Sequence, residues 1–138
     1  MQNPSGFGDA SVKSSTGLDA NIAALLAYLL GLLGGLIFFF MEKSSRFVKF
    51  HAMQSILFNV IVAVVAIGGA IVVTILSLIL GQISQGLVFV VGIISLLFWV
   101  VFGLVVLVAA IMLLIKAFQG QMFKLPIIGN MAEKFANK

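Results

Sequence analysis

The hydrophobic pattern of this chain is one of length rather than of period. Residues 20–41, 54–80 and 87–115 are apolar runs without a single Asp, Glu, Lys or Arg. Polar and charged residues fall between them: in 1–19, in the loop 42–50, in the turn 81–86 and from Lys116 onward. A helix rises about 1.5 Å per residue, so 20–41 reaches about 33 Å and matches a hydrocarbon core of about 30 Å. The other two runs exceed it, which predicts tilt or protruding ends. The pattern predicts an all-α membrane protein with three transmembrane helices, the first capped by Asp19. A fourth span arises only if Gly68–Gly69 breaks the second run. The expected organisation is a flexible polar tail over 1–19, a three-helix domain over 20–115 and an interfacial C-terminal segment over 116–138.

Composition makes the bilayer necessary. The chain of 138 residues is 62% hydrophobic and 9% charged, against about 45–50% and about 25% in soluble domains. The absence of cysteine removes disulfides, thiolate nucleophiles and zinc–thiolate sites. The start of the chain lacks the basic-then-apolar order of a signal peptide. A net charge of +4 spread over tails and loops is no nucleic-acid surface, and no nucleic-acid partner is expected.

The charges instead predict orientation. Lys43, Arg46 and Lys49 lie in the first loop, and Lys116, Lys124, Lys134 and Lys138 follow the third run. With three spans these clusters share a side, which the positive-inside rule makes cytoplasmic. The N-terminus is then outside, in the inner (cytoplasmic) membrane of the cell. Lys43, Arg46, Lys49, Lys116 and Lys124 are the expected interface anchors, facing anionic lipid headgroups.

Two constellations stand out. Ala23, Ala27, Gly31 and Gly35 recur every four residues, a small-residue stripe that permits close helix approach in lipid. Packing against the chain's own helices is the expected use, with a dimer seam as the alternative. The second is "RFVKFHAMQS", Arg46 to Ser55. It reads as an interfacial turn that leads into the second span, with Phe47 and Phe50 at the acyl boundary. His51, Ser55 and Asn59 are four apart, with Gln54 beside them, so a polar stripe descends into the membrane. Polar residues at depth face a bundle or a cavity. Three uses compete: interhelical hydrogen bonding by a neutral histidine, a polar path gated by His51, and axial ligation of a haem or pigment by His51. A lone histidine is a poor metal site, so no metal or cofactor is expected. The acidic residues lie outside the apolar runs, so no Ser–His–Asp set can form there, and no enzymatic activity is expected.

The stretches "LAYLLGLLGGLIFFFMEKSSRFVKFHAMQSILF" and "KAFQGQMFKLPIIGNMAEK" resemble a family of small, uncharacterised bacterial and archaeal membrane proteins. That family is distantly similar to the twenty-kilodalton membrane subunit of the chloroplast inner-envelope protein translocon. The resemblance implies a polytopic helical fold and a complex-forming or protein-conducting role. The expected function is therefore a structural or accessory subunit of a larger membrane assembly, with other membrane subunits as partners. A translocation or channel component using the His51–Ser55–Asn59 path is the alternative.

Overall fold

The computed structural model describes residues 10–137, and its described residues form five helices: α1 (Ala20–Leu29), α2 (Gly31–Met41), α3 (Arg46–Gly81), α4 (Gln85–Phe118) and α5 (Ile128–Ala136). They divide into two units, residues 61–109 and residues 10–60 together with 110–137. The N-terminal residues 1–9 of the expected flexible tail lie outside the described residues.

Residues 61–109 are a helical hairpin. The last part of α3 and most of α4 run about 31 Å and about 37 Å, each enough to cross a hydrocarbon core. Their turn is closed by Ser84 N–H to Leu80 O at 2.9 Å and by Gly86 N–H to Ser84 Oγ at 3.1 Å. Helix α3 passes through Gly68–Gly69 without a break. Gly69 is a seat for an aromatic ring: a Cβ there would lie 3.0 Å from Trp99 Cη2. The Thr74 and Ser95 hydroxyls donate to carbonyls of their own helices, Ala70 at 2.8 Å and Val91 at 2.7 Å. Isoleucines, valines, leucines and phenylalanines cover the outside. That arrangement puts the apolar surface where lipid, not water, must meet it. A groove of about 450 Å³ between the two helices is lined by Gly68, Gly69, Val72, Ile94, Ser95 and Phe98 among others.

The other unit departs from expectation at its first apolar run. Residues 20–41 do not form one through-helix. Helix α1 stops at Leu30, and Gly31 takes a φ of +63°, a left-handed conformation that glycine adopts at no steric cost and that commonly ends helices. Helix α2 then folds back. A Cβ on Gly34 would lie 2.7 Å from Leu26 O and 3.0 Å from Ala27 O, residues that a straight helix would hold about 10–12 Å away. The far ends of the two helices are fastened together. Glu42, just after α2, accepts from Ser15 N–H at 2.9 Å, from Ser15 Oγ at 2.9 Å and from the Ser14 hydroxyl, all upstream of α1. Lys43 N–H donates to Ser15 Oγ at 2.8 Å, and Ser44 Oγ donates to Lys13 O at 2.9 Å.

These bonds do not fit a first helix that runs straight through residues 20–41. A span over 20–41 would hold residues 15 and 42 a bilayer apart, whereas they are in hydrogen-bond contact. The N-terminal segment from residue 10 packs on this unit, with Ser14 buried. Residues 110–137 belong to the same unit as residues 10–60.

The core of this unit is made of small and flat residues. Ala20, Ala23, Ala24 and Ala27 of α1 pack with Phe38, Phe47, Val48, Ala52 and Ala117. Alanine lets α1 lie close to its neighbours, and Gly35 does the same for α2. A Cβ on Gly35 would fall 2.9 Å from Ala52 O and 2.8 Å from Ile56 Cγ1. Helix α5 buries Gly129, Ala132 and Ala136, the two alanines against Phe50, with Met53, Leu57 and Met122 around them. Gly129 is required by the turn before it, since a Cβ would come within 2.6 Å of Lys124 Cα. In that turn Ile127 has a φ of +67°, and Ile128 N–H reaches Pro126 O at 2.7 Å, a strained γ-turn.

Two predictions follow from the packing and the fastening. Gly35→Ala should lower stability by about 1–3 kcal/mol by forcing the α2 and α3 backbones apart. Gly68→Ala, with nothing within 4 Å of its Cβ, should be neutral or slightly stabilising; thermal unfolding in detergent checks both. For Glu42, burial would raise the carboxyl pKa, but the hydrogen bonds from Ser14, Ser45 and Ser15 outweigh it and lower the value from 4.5 to about 2. A depressed carboxyl stabilises the fold above its unfolded pKa and loses that contribution as pH falls toward the folded value. The parent should therefore lose more thermal stability than Glu42→Gln between about pH 5 and pH 2, and the variant should begin from a lower value at neutral pH.

Candidate functional site

The candidate site is built on the first three turns of α3. Ser45 caps the helix, its Oγ accepting from Val48 N–H at 3.2 Å. That is the N-cap to N3 bond that serine supplies well. Glu42 Oε1 in turn takes the Ser45 N–H at 2.9 Å and the Ser44 N–H at 3.0 Å. With its entry fixed, α3 presents two sides. Arg46 is exposed, and Lys49 lies with its ammonium 5.1 Å from the Phe39 ring centroid, a cation–π contact. Phe47 and Phe50 do not lie at an acyl boundary as expected. Both are fully buried, and their rings meet the His51 ring edge-on at centroid distances of 4.5 and 5.0 Å. The reason is the C-terminal segment, which covers the face that the sequence leaves open to lipid.

His51, Gln54 and Ser55 are fully buried, and their side chains bond to α1, to the start of α2 and to the segment after α4. His51 Nε2 lies 3.0 Å from Gln121 O. A carbonyl only accepts, so this nitrogen carries the proton and Nδ1 accepts from Tyr28 Oη at 2.8 Å. Tyr28 Oη accepts in turn from Gln54 Nε2 at 2.9 Å. The second proton of that amide goes to Phe123 O at 2.8 Å, and Gln54 Oε1 accepts from Leu125 N–H at 2.9 Å. The Gln54 amide thus holds a backbone N–H and a backbone C=O two residues apart, as a neighbouring strand would. Ser55 Oγ reaches Ala27 O at 2.8 Å and Gly31 O at 3.3 Å. Half-buried Asn59 donates to Ser55 O at 2.8 Å. No buried side-chain nitrogen or oxygen among the described residues lacks a partner.

This arrangement is a closed circuit. Helix α1 contributes Tyr28, α3 contributes His51 and Gln54, and the segment after α4 contributes the carbonyls of Gln121 and Phe123 and the amide of Leu125. The His51 Nδ1 lone pair is occupied by the tyrosine hydroxyl, so ligation of a haem iron through His51 would require dismantling one of its two bonds. Among the described residues no group of three His, Cys, Asp or Glu side chains is placed to hold a metal ion. What the geometry can do is hold three separated stretches of chain at fixed positions.

The remaining singled-out residues fall as follows. Ala23 and Ala27 are fully buried on α1, Gly31 is the left-handed residue at the break, and Gly35 faces α3 from α2. They do not form one straight stripe, because the helix they were placed on is interrupted. Lys43 and Lys124 are exposed; Lys124 forms an ion pair with Glu133. Lys116 Nζ donates to Gln121 Oε1 at 3.1 Å. Asn21 Nδ2 adds a bond to Phe118 O at 3.0 Å, tying the start of α1 to the end of α4.

Sequence reasoning missed Tyr28 and Glu42. Tyr28 is the chain's single tyrosine, set in an uninterrupted apolar run, and a lone buried phenol needs a partner for its hydroxyl. Glu42 is the single acid beside Lys43 and Arg46 and is followed by two serines, which marks a helix entry. The partners on the C-terminal segment are backbone groups and leave no trace in residue type.

The chain is 40% identical over 127 residues to a UPF0132 membrane protein of Methanocaldococcus jannaschii, covering 90% of this chain and 94% of the relative. A UPF0132 membrane protein of Archaeoglobus fulgidus is 35% identical over 114 residues, covering 83% and 92%. A second such protein of Methanocaldococcus jannaschii is 33% identical over 122 residues, covering 86% and 71%. No solved structure matches the chain. Residues 15–132 match the model of the magnetosome magnetite crystal formation protein family; they begin at Ser15 of the Glu42 fastening and include the whole Tyr28–His51–Gln54 circuit. The chain is a membrane protein and belongs to the magnetosome magnetite crystal formation protein family, alongside the UPF0132 membrane proteins of archaea.

Proposed function

We propose that this protein is a non-enzymatic building block of a larger assembly in the cytoplasmic membrane, with its basic residues on the cytoplasmic side. One observation carries the reading. Tyr28, His51, Gln54 and Glu42, the buried groups capable of chemistry, are all committed to hydrogen bonds that hold the chain together. Apolar surface and basic residues that include Lys43 and Arg46 are left exposed for interaction. A basic rim attracts anionic headgroups, at about 1 kcal/mol per residue near the surface. Membrane residence is carried over from the names of the relatives; mineral chemistry is not carried over from the family description, because the described residues offer no metal-ligating cluster. A conducting path along His51, Ser55 and Asn59 has less support: the first two are buried against protein, and Asn59 bonds back to its own helix.

Purification in a gentle detergent, with native mass determination and identification of co-purifying membrane proteins, tests the proposal directly. A stable complex is expected, and a lone monomer under all such conditions would count against it. The circuit gives a second test. Gln54→Leu strands the Phe123 carbonyl, the Leu125 amide and a bond of Tyr28. It should cost more stability than His51→Leu, itself about 1–3 kcal/mol if its partners stay unpaired. His51→Asn, which keeps a donor and an acceptor, should be milder. Liposomes containing the parent should show no ion flux that depends on pH between about 5.5 and 8, where histidine titrates. Flux that is present in the parent and abolished by His51→Asn, with folding retained, would replace this reading with the gate.

A further inference from the structure

The α1–α2 pair has a surface that the proposed role does not explain. Leu29, Leu30, Leu33, Ile37, Phe40 and Met41 are all exposed, Leu33 at 70% and Phe40 at 73%. They sit at the tip and along α2 of a structure whose ends are fastened by Glu42. Lys43, Arg46 and Lys49 lie at the fastened end, where the Glu42 carboxylate is enclosed by serines and does not face outward. The fastened end therefore carries the basic residues beside Phe40 and Met41, and the tip is wholly apolar.

We propose that α1–α2 is a re-entrant hairpin that inserts into a single leaflet of acyl chains and returns to the side it entered from. Length is the first argument. With 10 and 11 residues, the helices run about 15 and 16 Å, about half of a 30 Å hydrocarbon core. The pair can leave headgroup level and reach no further than the midplane. Charge is the second. Basic residues at the fastened end match the anionic headgroup layer, while the apolar tip matches the acyl chains beneath it.

A helix that stops inside hydrocarbon frees carbonyls that water cannot reach, and such irregular backbone survives in lipid only where protein satisfies it. Ser55 supplies what the break needs: its hydroxyl lies at the carbonyls of Ala27, in the last turn of α1, and of Gly31, at the tip. Asn59 stands beside the same point, with Oδ1 3.9 Å from where a Gly31 Cβ would be. The polar residues that descend α3 thus end where the hairpin turns. In this arrangement the chain crosses the membrane twice, within α3 and α4, and its N-terminal segment lies on the same side as its C-terminal segment.

The chain contains no cysteine, so single cysteines report unambiguously. Full-length Val12→Cys, Ser84→Cys and Asn137→Cys in sealed membrane vesicles are exposed to an impermeant maleimide from one side at a time. Val12 and Asn137 should label from one side and Ser84 from the other. Labelling of Val12 and Ser84 from the same side would restore a through-span and overturn the hairpin. For the tip, Leu33→Cys carries an environment-sensitive fluorophore, with Leu30→Cys as a second position should the first disturb folding. Lipids brominated along one acyl chain should quench a label at the tip at least several-fold more than one on Val12. Equal quenching, or none at both hairpin positions, would overturn the insertion. Neither readout requires a partner protein, so failure of the assembly proposal would leave this result standing.

Discussion

A polar group taken out of water must be paired, and that requirement organises this protein. The helices are apolar over most of their length, so the polar side chains buried among them have few partners to choose from. Tyr28, His51 and Gln54 choose one another and then the backbone of residues 121–125. The circuit joins α1, α3 and the segment after α4, which apolar contacts alone would leave free to slide. Dispersion between flat apolar surfaces is strong in sum but has little directionality. Hydrogen bonds to a particular carbonyl fix a register.

The Glu42 fastening does similar work at the interface. A carboxylate that accepts from backbone and hydroxyl donors of residues 14, 15, 44 and 45 closes the α1–α2 pair and starts α3 in one step. Its low pKa is the signature of that donor set, since burial alone would have moved it the other way. The two devices differ in what they respond to. The fastening carries a charge and is sensitive to acid. The circuit, with His51 protonated on one nitrogen, holds no charge.

The same reading gives "RFVKFHAMQS" a physical account. Its cations face outward, its phenylalanines pack on the histidine, and its polar residues point into the protein. The "KLPIIG" stretch is the complement: Gly129 and the left-handed Ile127 turn the chain so that Leu125 can meet Gln54. The two motifs that carried the resemblance in the sequence are thus the two halves of one contact.

The sequence by itself determined the environment, the helical class, the long apolar helices, the turn at 81–86 and the set of polar residues that needed partners. Those follow from composition and run length, which act locally and survive in any fold. Where the first apolar run bends was open, because a left-handed glycine and a mid-helix glycine look alike in a sequence that also holds Gly34 and Gly35. Only the tertiary structure decided it: Ser55 pairs with the carbonyls beside the break, and Glu42 pins the far ends. The fate of Phe47 and Phe50 was decided the same way. An aromatic beside a cation suits a membrane interface and a covered core equally well. What selected the core was a C-terminal segment held by backbone groups, which every residue possesses and no residue type announces.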